Sequence, residues 1–458
     1  MAIVLGRHKL SPARWVAFEI LRKVEDGVHS SVLLASEEQG LEPSDRALCH
    51  ELVLGVLRWQ LNLDCVIEHY SNRKIESLDR SVLLALRLGL YQLRFLSRIP
   101  ASAAVDESVK IVQAARLTSA KAFVNAVLRR ATREPDYNPS SKIQDPIELI
   151  SVETSHPRWL IDRWTNSFGL EETEAFAKAN NETPQTAFRI VRTRASAPEV
   201  LAKLSSAGVA LESSDIVHGA WRASSGSPVL RALAQNGDIY FQDEASQLVA
   251  ELLGGQRSER ILDLCSAPGG KTTLIADRAD GAFVVASDVS RRRLATVASS
   301  VSSQELSNVS LLLLNAVQQL PFREETFDRV LVDAPCSGTG TLRHNPEIRW
   351  RLKPDDIKRL ASQQLQLLLN ASNVVKVGGR LLYSTCSVEK EENELVVAEF
   401  LRRQGRFKPI PLKTPFLSSS AAIRTWPHRH GADGFFVSAF EKTNLRSEIL
   451  PEHSLAAF

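Results

Sequence analysis

From Ser11 to about residue 133, apolar side chains recur at helical spacing. Ser11-Pro12 marks a helix start, because proline at the first helical position loses only an N–H that would be unpaired anyway. Ala17, Ile20, Leu21 and Val24 then share one face. The run from Val82 to Leu96 is apolar almost all round, which predicts a central buried helix ended by Pro100. Val105, Val109 and Val112 predict a further helix, and Phe123 to Leu128 one more. The stretch EPDYNPSSKIQDP (134–146) is rich in proline and polar residues and reads as a linker.

The pattern then mixes. HPRWLIDRWTNSFG (156–169) has helical spacing, while AFRIVRTR (187–194) alternates as a strand does and carries Arg189, Arg192 and Arg194. From about 246 onward, short apolar strands alternate with helical segments, the signature of a doubly wound parallel sheet. The expected strands are 260–265, 282–288, 309–315, 327–334 and 379–386, with a late antiparallel strand at 434–442. The chain is therefore expected to be multidomain. Its parts would be an all-α domain (1–145) able to fold alone, a small α/β module (146–240), an α/β domain (241–442) and a disordered tail (443–458).

Composition adds limits. A net charge of +3 over 458 residues places any nucleic-acid surface in local Arg and Lys clusters rather than in bulk charge. Charges in the first 150 residues nearly balance. The five cysteines are odd in number and form no CxxC pair, which argues against a disulfide framework or a zinc site and predicts no metal. The opening residues lack the apolar core of a signal peptide, and no apolar run reaches membrane-spanning length. A cytoplasmic monomer without membrane attachment is expected.

Four motifs fall at predicted strand ends, where open α/β sheets bind ligands. Asp263-Leu264-Cys265-Ser266-Ala267-Pro268-Gly269-Gly270-Lys271 follows the first strand and opens a helix. A phosphate-binding P-loop would need glycine at Cys265, and a dinucleotide fingerprint would need G-x-G-x-x-G, so neither fits. Asp288 ends the next strand, where a carboxylate can bind both ribose hydroxyls of a nucleoside or simply cap a helix. Asp333-Ala334-Pro335-Cys336-Ser337-Gly338-Thr339-Gly340 and Tyr383-Ser384-Thr385-Cys386-Ser387 end two more strands. Free cysteine is more often a small buried hydrophobe than a catalyst. That reading suits Cys49 and Cys65, inside helical patterns, better than Cys336 and Cys386, which lie among Ser, Thr and Gly.

LDLCSAPGGKTT, DAPCSGTG and STCS, in that order, resemble the RNA (cytosine-5)-methyltransferases of the Nop2/Sun family. QDEASQ (242–247) and PHRHGADGFFVSAFEK (427–442) match as well, and the helical front is similar to the NusB-like RNA-binding domain of the RsmB-like members. The resemblance implies a Rossmann-like methyltransferase domain that uses S-adenosyl-L-methionine. It also implies a substrate in small-subunit (16S) ribosomal RNA or its assembly intermediate. Carried over by position, residues Cys265, Ser266, Ala267, Pro268, Gly269, Gly270 and Lys271 line the methionine and ribose part of the cofactor, Asp288 binds ribose, and Asp333 serves cofactor and base. Lys271 joins the catalytic set, Cys386 is the nucleophile and Cys336 assists release. Thiol chemistry alone does not choose between the two cysteines; the resemblance does. At the position where the family has an aspartate for the adenine amino group, this chain has Asn315, an uncharged acceptor.

Cysteine suits this chemistry because carbon 5 of cytosine is a poor nucleophile until a thiolate adds to carbon 6. Two segments are candidate RNA contacts. RHNPEIRWRLKP (343–354) offers four cations and Trp350 for stacking, with a solvated basic loop as the plain alternative, and Arg189, Arg192 and Arg194 form a weaker cluster. Rival readings are an inactive RNA-binding assembly factor, supported only by Asn315, and a nitrogen or protein methyltransferase, opposed by Asp-Ala-Pro-Cys where such enzymes have Asn/Asp-Pro-Pro-aromatic.

Overall fold

The computed structural model describes residues 10–223, 227–279, 281–414 and 420–444. The expected tail beyond 444 and the opening nine residues lie outside them. By internal contacts the chain divides into two units: 1–182 with 342–351, and 183–341 with 352–458. The expected boundary at 145/146 therefore falls inside the first unit.

The first unit is helical. Its centre is the helix Arg80–Phe95, capped by Asp79, whose side chain accepts from the Ser81 and Val82 amides. Leu84, Leu86, Leu88 and Leu90 are all buried in it, as the apolar run predicted. Two polar residues are buried with them. Arg87 lies inside because it forms a bidentate pair with Asp64, at 2.7 and 2.8 Å. The expected linker carries no helix or strand before Asp145, which caps Pro146–Thr154. The helices Arg158–Phe168 and Leu170–Ala179 follow, with Trp164 buried edge-on to Phe176.

The segment 342–351 is the part of this unit that pattern reading misplaced. It is neither a solvated loop nor an RNA-ready one. Arg343 and Arg349 are buried. Glu347 accepts from the amide and hydroxyl of Ser30 at the start of Ser30–Glu37, while Arg351 donates to Val24, Gly27 and Val28 carbonyls at the end of Pro12–Glu25. A carboxylate at a helix N-terminus and a guanidinium at a C-terminus each complement the helix dipole. The Trp350 indole donates to Leu57 O, and Arg349 Nη1 donates to Ser155 O and Asn181 Oδ1.

The second unit holds two sheets. A four-stranded antiparallel sheet of order β2-β3-β1-β4 is built from β1 (Thr186–Ile190), β2 (Leu211–Ser213), β3 (Ala220–Ala223) and β4 (Ile239–Phe241). Arg189 of β1 is buried, donating to Gln242, Thr273 and Gln304, so it rivets this sheet to the helix Gly270–Arg278 rather than facing RNA. Arg194 is engaged by Glu305, and Arg192 stays exposed.

The larger sheet contains β5 (Arg260–Asp263), β6 (Phe283–Asp288), β7 (Val309–Leu313), β8 (Phe327–Asp333), β9 (Val375–Thr385), β10 (Phe407–Pro409), β11 (Ala422–Arg424) and β12 (Phe436–Lys442). Its order is β10-β12-β9-β8-β5-β6-β7, with β11 also on β12. Strands β5 to β9 run parallel and β12 antiparallel to β9, as the pattern predicted. The short strands β10 and β11 were not foreseen. The strand order reverses at β5, which opens a crevice at the carboxyl ends of β5, β6 and β8.

Candidate active site

A cleft of about 250 Å³ opens at this sheet edge. It is lined by Cys265, Ala267, Asp288, Asn315, Asp333, Cys336 and Cys386, which gathers most of the expected residues in one place. Ser266, Pro268, Gly269, Gly270 and Lys271 shape the adjoining turn instead of lining the cleft. Gly269 takes φ +111° at the start of the helix Gly270–Arg278, a backbone state that favours glycine. A β-carbon on it would also press against Val297 Cα at 3.3 Å.

Asp288 is buried, and its Oδ1 accepts from the Ser290 amide at 2.7 Å and from Arg293 Nη2 at 2.9 Å. Arg293, one helical turn on, escaped the sequence reading. Asp288 Oδ2 takes no bond from the described protein and is free to accept from a ligand. Val289, Leu314, Val317 and Leu367 make apolar walls around Asn315, whose Oδ1 accepts from the Val317 amide. Two polar atoms at the β5 end, Asp263 Oδ1 and Ser266 Oγ, are buried without a protein partner. Burial pushes the Asp263 carboxyl up to about 7. An acidic strand end, an apolar pocket and orphaned polar atoms fit a nucleoside joined to an amino acid.

Deeper in the site, Lys271 Nζ donates to Asp333 Oδ2 at 2.7 Å, and the Ser384 hydroxyl donates to Asp333 Oδ1 at 2.7 Å. Burial alone would lower the Lys271 ammonium, but the charge and hydrogen bond of Asp333 outweigh it, so its pKa is raised. The ammonium also sits 4.9 Å from the centroid of the Phe435 ring. Lys271 thus stays charged beside Asp333.

The two thiols meet. Cys336 Sγ and Cys386 Sγ are 3.1 Å apart, close enough to share a hydrogen, and both are free. The bond to Cys386 and burial raise the Cys336 thiol well above its ordinary value, so Cys336 holds a proton. Cys49 and Cys65, in the helical unit, are pushed up by burial to about 12 and about 11, which suits inert packing.

The cleft and the paired thiols lie at one edge of a single Rossmann-like sheet in the second unit. Comparison with known proteins agrees throughout the chain. Residues 250–441 match the family model of the 16S rRNA methyltransferase RsmB/F, 11–133 the NusB family, and 156–229 the ferredoxin-like domain of RsmF/B-like methyltransferases. A probable ribosomal RNA small subunit methyltransferase B of Bacillus subtilis is 34% identical, over 95% of this chain and 99% of its own. The crystal structure of PH0851 superposes with TM-score 0.81 at 29% identity, covering 96% of this chain and all of that one. A methyltransferase homolog from Pyrococcus horikoshii covers 66% of this chain and all of its own at 26% identity and TM-score 0.57. The chain belongs to the RsmB/F family of 16S rRNA methyltransferases, and its cofactor is S-adenosylmethionine.

Proposed function

We propose that the protein methylates carbon 5 of a cytosine in 16S ribosomal RNA through a covalent adduct on Cys386. The observation that carries this reading is the pair of thiols, 3.1 Å apart, at the ends of β8 and β9 beside the cofactor cleft. S-adenosylmethionine, when bound, supplies the electrophilic methyl group. Asp288 would bind its ribose, Asn315 its adenine, and the turn Cys265–Lys271 its methionine part. The Cys386 thiolate adds to carbon 6, which makes carbon 5 nucleophilic. Asp333, held by Lys271 and Ser384, would orient the base at ring nitrogen 3. Once carbon 5 carries the methyl, a base such as water takes its proton, that electron pair forms the carbon 5–carbon 6 double bond, and the carbon 6–sulfur bond breaks to return the Cys386 thiolate. Cys336, protonated and in contact with Cys386, assists that release. The helical front (1–145) would select ribosomal RNA or an assembly particle, and the enzyme would act as a cytoplasmic monomer.

The test is a denaturing gel with substrate RNA. Cys386→Ala should abolish turnover and leave no adduct, whereas Cys336→Ala should accumulate it, because addition survives and release fails. An adduct in the Cys386 variant and none in the Cys336 variant would reverse the roles; methyl transfer with neither thiol needed would end the reading.

A further inference from the structure

Both thiols sit in turns beyond strand ends, where nothing in the strands themselves fixes one sulfur against the other. A backbone bond from the Gly340 amide to Cys386 O and contacts among the Ser337, Thr339 and Ser387 hydroxyls join the two turns, and at their centre is a carboxylate that no motif reading picked out. Glu392 follows β9 within the acidic run Glu389–Glu394, which by composition reads as a solvated face. It is instead fully buried. Its Oε1 accepts from the Ser337 amide at 2.8 Å and from Gln364 Nε2 at 2.9 Å. Its Oε2 accepts from the Ser337 and Ser387 hydroxyls. All four acceptor positions of the carboxylate are thereby filled. Ser337 follows Cys336 and Ser387 follows Cys386, so one carboxylate ties together the residues next to both thiols. Gln364 extends the clamp, since its Nε2 also donates to the carbonyl of Pro335, on the other side of Cys336. The neighbouring Asn393 closes around the second thiol: it accepts from the Thr385 hydroxyl and donates to Ser387 O at 2.8 Å.

We propose that Glu392 is a positioning residue that holds Cys336 and Cys386 in register for methyl transfer, a role that rests on the two-thiol reading above. It touches neither substrate nor cofactor. A buried carboxylate costs free energy unless it is fully hydrogen-bonded. Its four donors offset that cost only when both turns are in place, so the buried charge selects the arrangement in which the sulfurs meet. Glutamine, of the same shape, can keep the Ser337 amide on its oxygen only by turning its N–H₂ to the Ser337 and Ser387 hydroxyls, which must then accept and lose their charged acceptor, so the tie between the two turns weakens.

The test uses the full chain with Glu392→Gln, Glu392→Ala and wild type, each checked for folding by its melting curve and for cofactor affinity by calorimetry. The first readout needs no RNA. Diamide, an azo oxidant, takes the hydrogens of two adjacent thiols as its N=N bond is reduced, and an S–S bond forms; peptide mass spectrometry follows the Cys336–Cys386 crosslink. Closure should be prompt in wild type and slowed about ten-fold or more in the folded variants. The second readout is methyl transfer at saturating RNA, where kcat should fall about ten-fold or more with KM for RNA unchanged. Should Glu392→Ala fail to fold, the glutamine variant decides. Wild-type closure and wild-type kcat in a folded variant would overturn the clamp, as would absence of closure in the wild type or a fall in kcat with closure intact. Slowed closure with undiminished methyl transfer would leave the clamp standing and sink the two-thiol chemistry instead.

Discussion

Gly340→Ala adds a single methyl group at a position where backbone surrounds it. A β-carbon there would lie 1.8 Å from the Gly434 carbonyl oxygen, 2.6 Å from its carbon and 2.9 Å from the Cys386 carbonyl oxygen. No side chain can rotate away to relieve this. The Gly434 amide donates to Gly340 O at 2.8 Å and the Gly340 amide to Cys386 O at 2.9 Å, so the contact is pinned from both sides. To restore a tolerable separation the turn must shift by at least about 1.2 Å, well up the repulsive wall. Overpacking of this kind costs about 1–3 kcal/mol, and weakening one of the two backbone bonds about 1 more. The same shift moves Cys336 relative to Cys386, and a misplacement of about 1 Å can cost on the order of 100-fold in rate. Denaturant unfolding of the full chain should therefore show a loss of about 2–4 kcal/mol in the second unit. Methyl transfer should fall by roughly two orders of magnitude. Affinity for S-adenosylmethionine, which depends on the β5 and β6 ends, should hold. Gly40→Ala, where nothing lies within 4 Å of the new methyl, is the control. Wild-type stability and rate in the Gly340 variant would refute the steric argument.

Three further outcomes follow from the geometry. Asp288→Ala should weaken cofactor binding by roughly 1.5–3 kcal/mol, read by calorimetry, because a buried charged acceptor is lost; unchanged affinity would remove Asp288 from the cofactor site. Asp263, with a folded pKa of about 7 against an ordinary 3.8, favours folding fully below pH ~4, and that contribution disappears as pH rises through 7, amounting to as much as ~4 kcal/mol. Asp263→Asn should thus flatten the fall in stability between pH 4 and 7, and a slope like that of wild type would show that the carboxyl is not the group responsible. Arg349→Ala should destabilise the helical unit by about 2–4 kcal/mol in urea, since it opens a cavity and strips the donors from Ser155 O and Asn181 Oδ1. Lost RNA affinity at full stability would instead return this arginine to the RNA surface.

The parts of the fold that could be read from the chain are those whose side-chain period matches one element and one environment. Strands β5, β6, β8 and β9 are buried on both faces and appear as short apolar runs, and the turns after them carry the chemistry-bearing residues in contiguous motifs. The parts that escaped have patterns made by a distant partner. Arg189 looks like an exposed cation on an alternating strand, yet Gln242, Thr273 and Gln304 satisfy it inside the protein. Glu392 sits in a run of acids, and only the folded position of Ser337 makes a buried carboxylate tenable there. RHNPEIRWRLKP has the composition of an RNA contact because its cations answer helix-end carbonyls and main-chain oxygens instead of phosphates. Composition reports what a side chain can bind, and the fold decides what it meets.

The segment 342–351 also bears on the order in which the protein can be made. It completes a helical unit whose other residues end at 182, so about 160 residues of the second unit are translated in between. At about 5–20 residues per second, the ribosome takes roughly 8–32 s to deliver the missing piece. During that interval Ser30, Leu57 and the carboxyl end of Pro12–Glu25 wait for Glu347, Trp350 and Arg351. The N-terminal unit is thus the first to emerge yet cannot be finished until residue 351 is made, and a nascent chain stalled before residue 342 carries a helical unit with an unfilled seam.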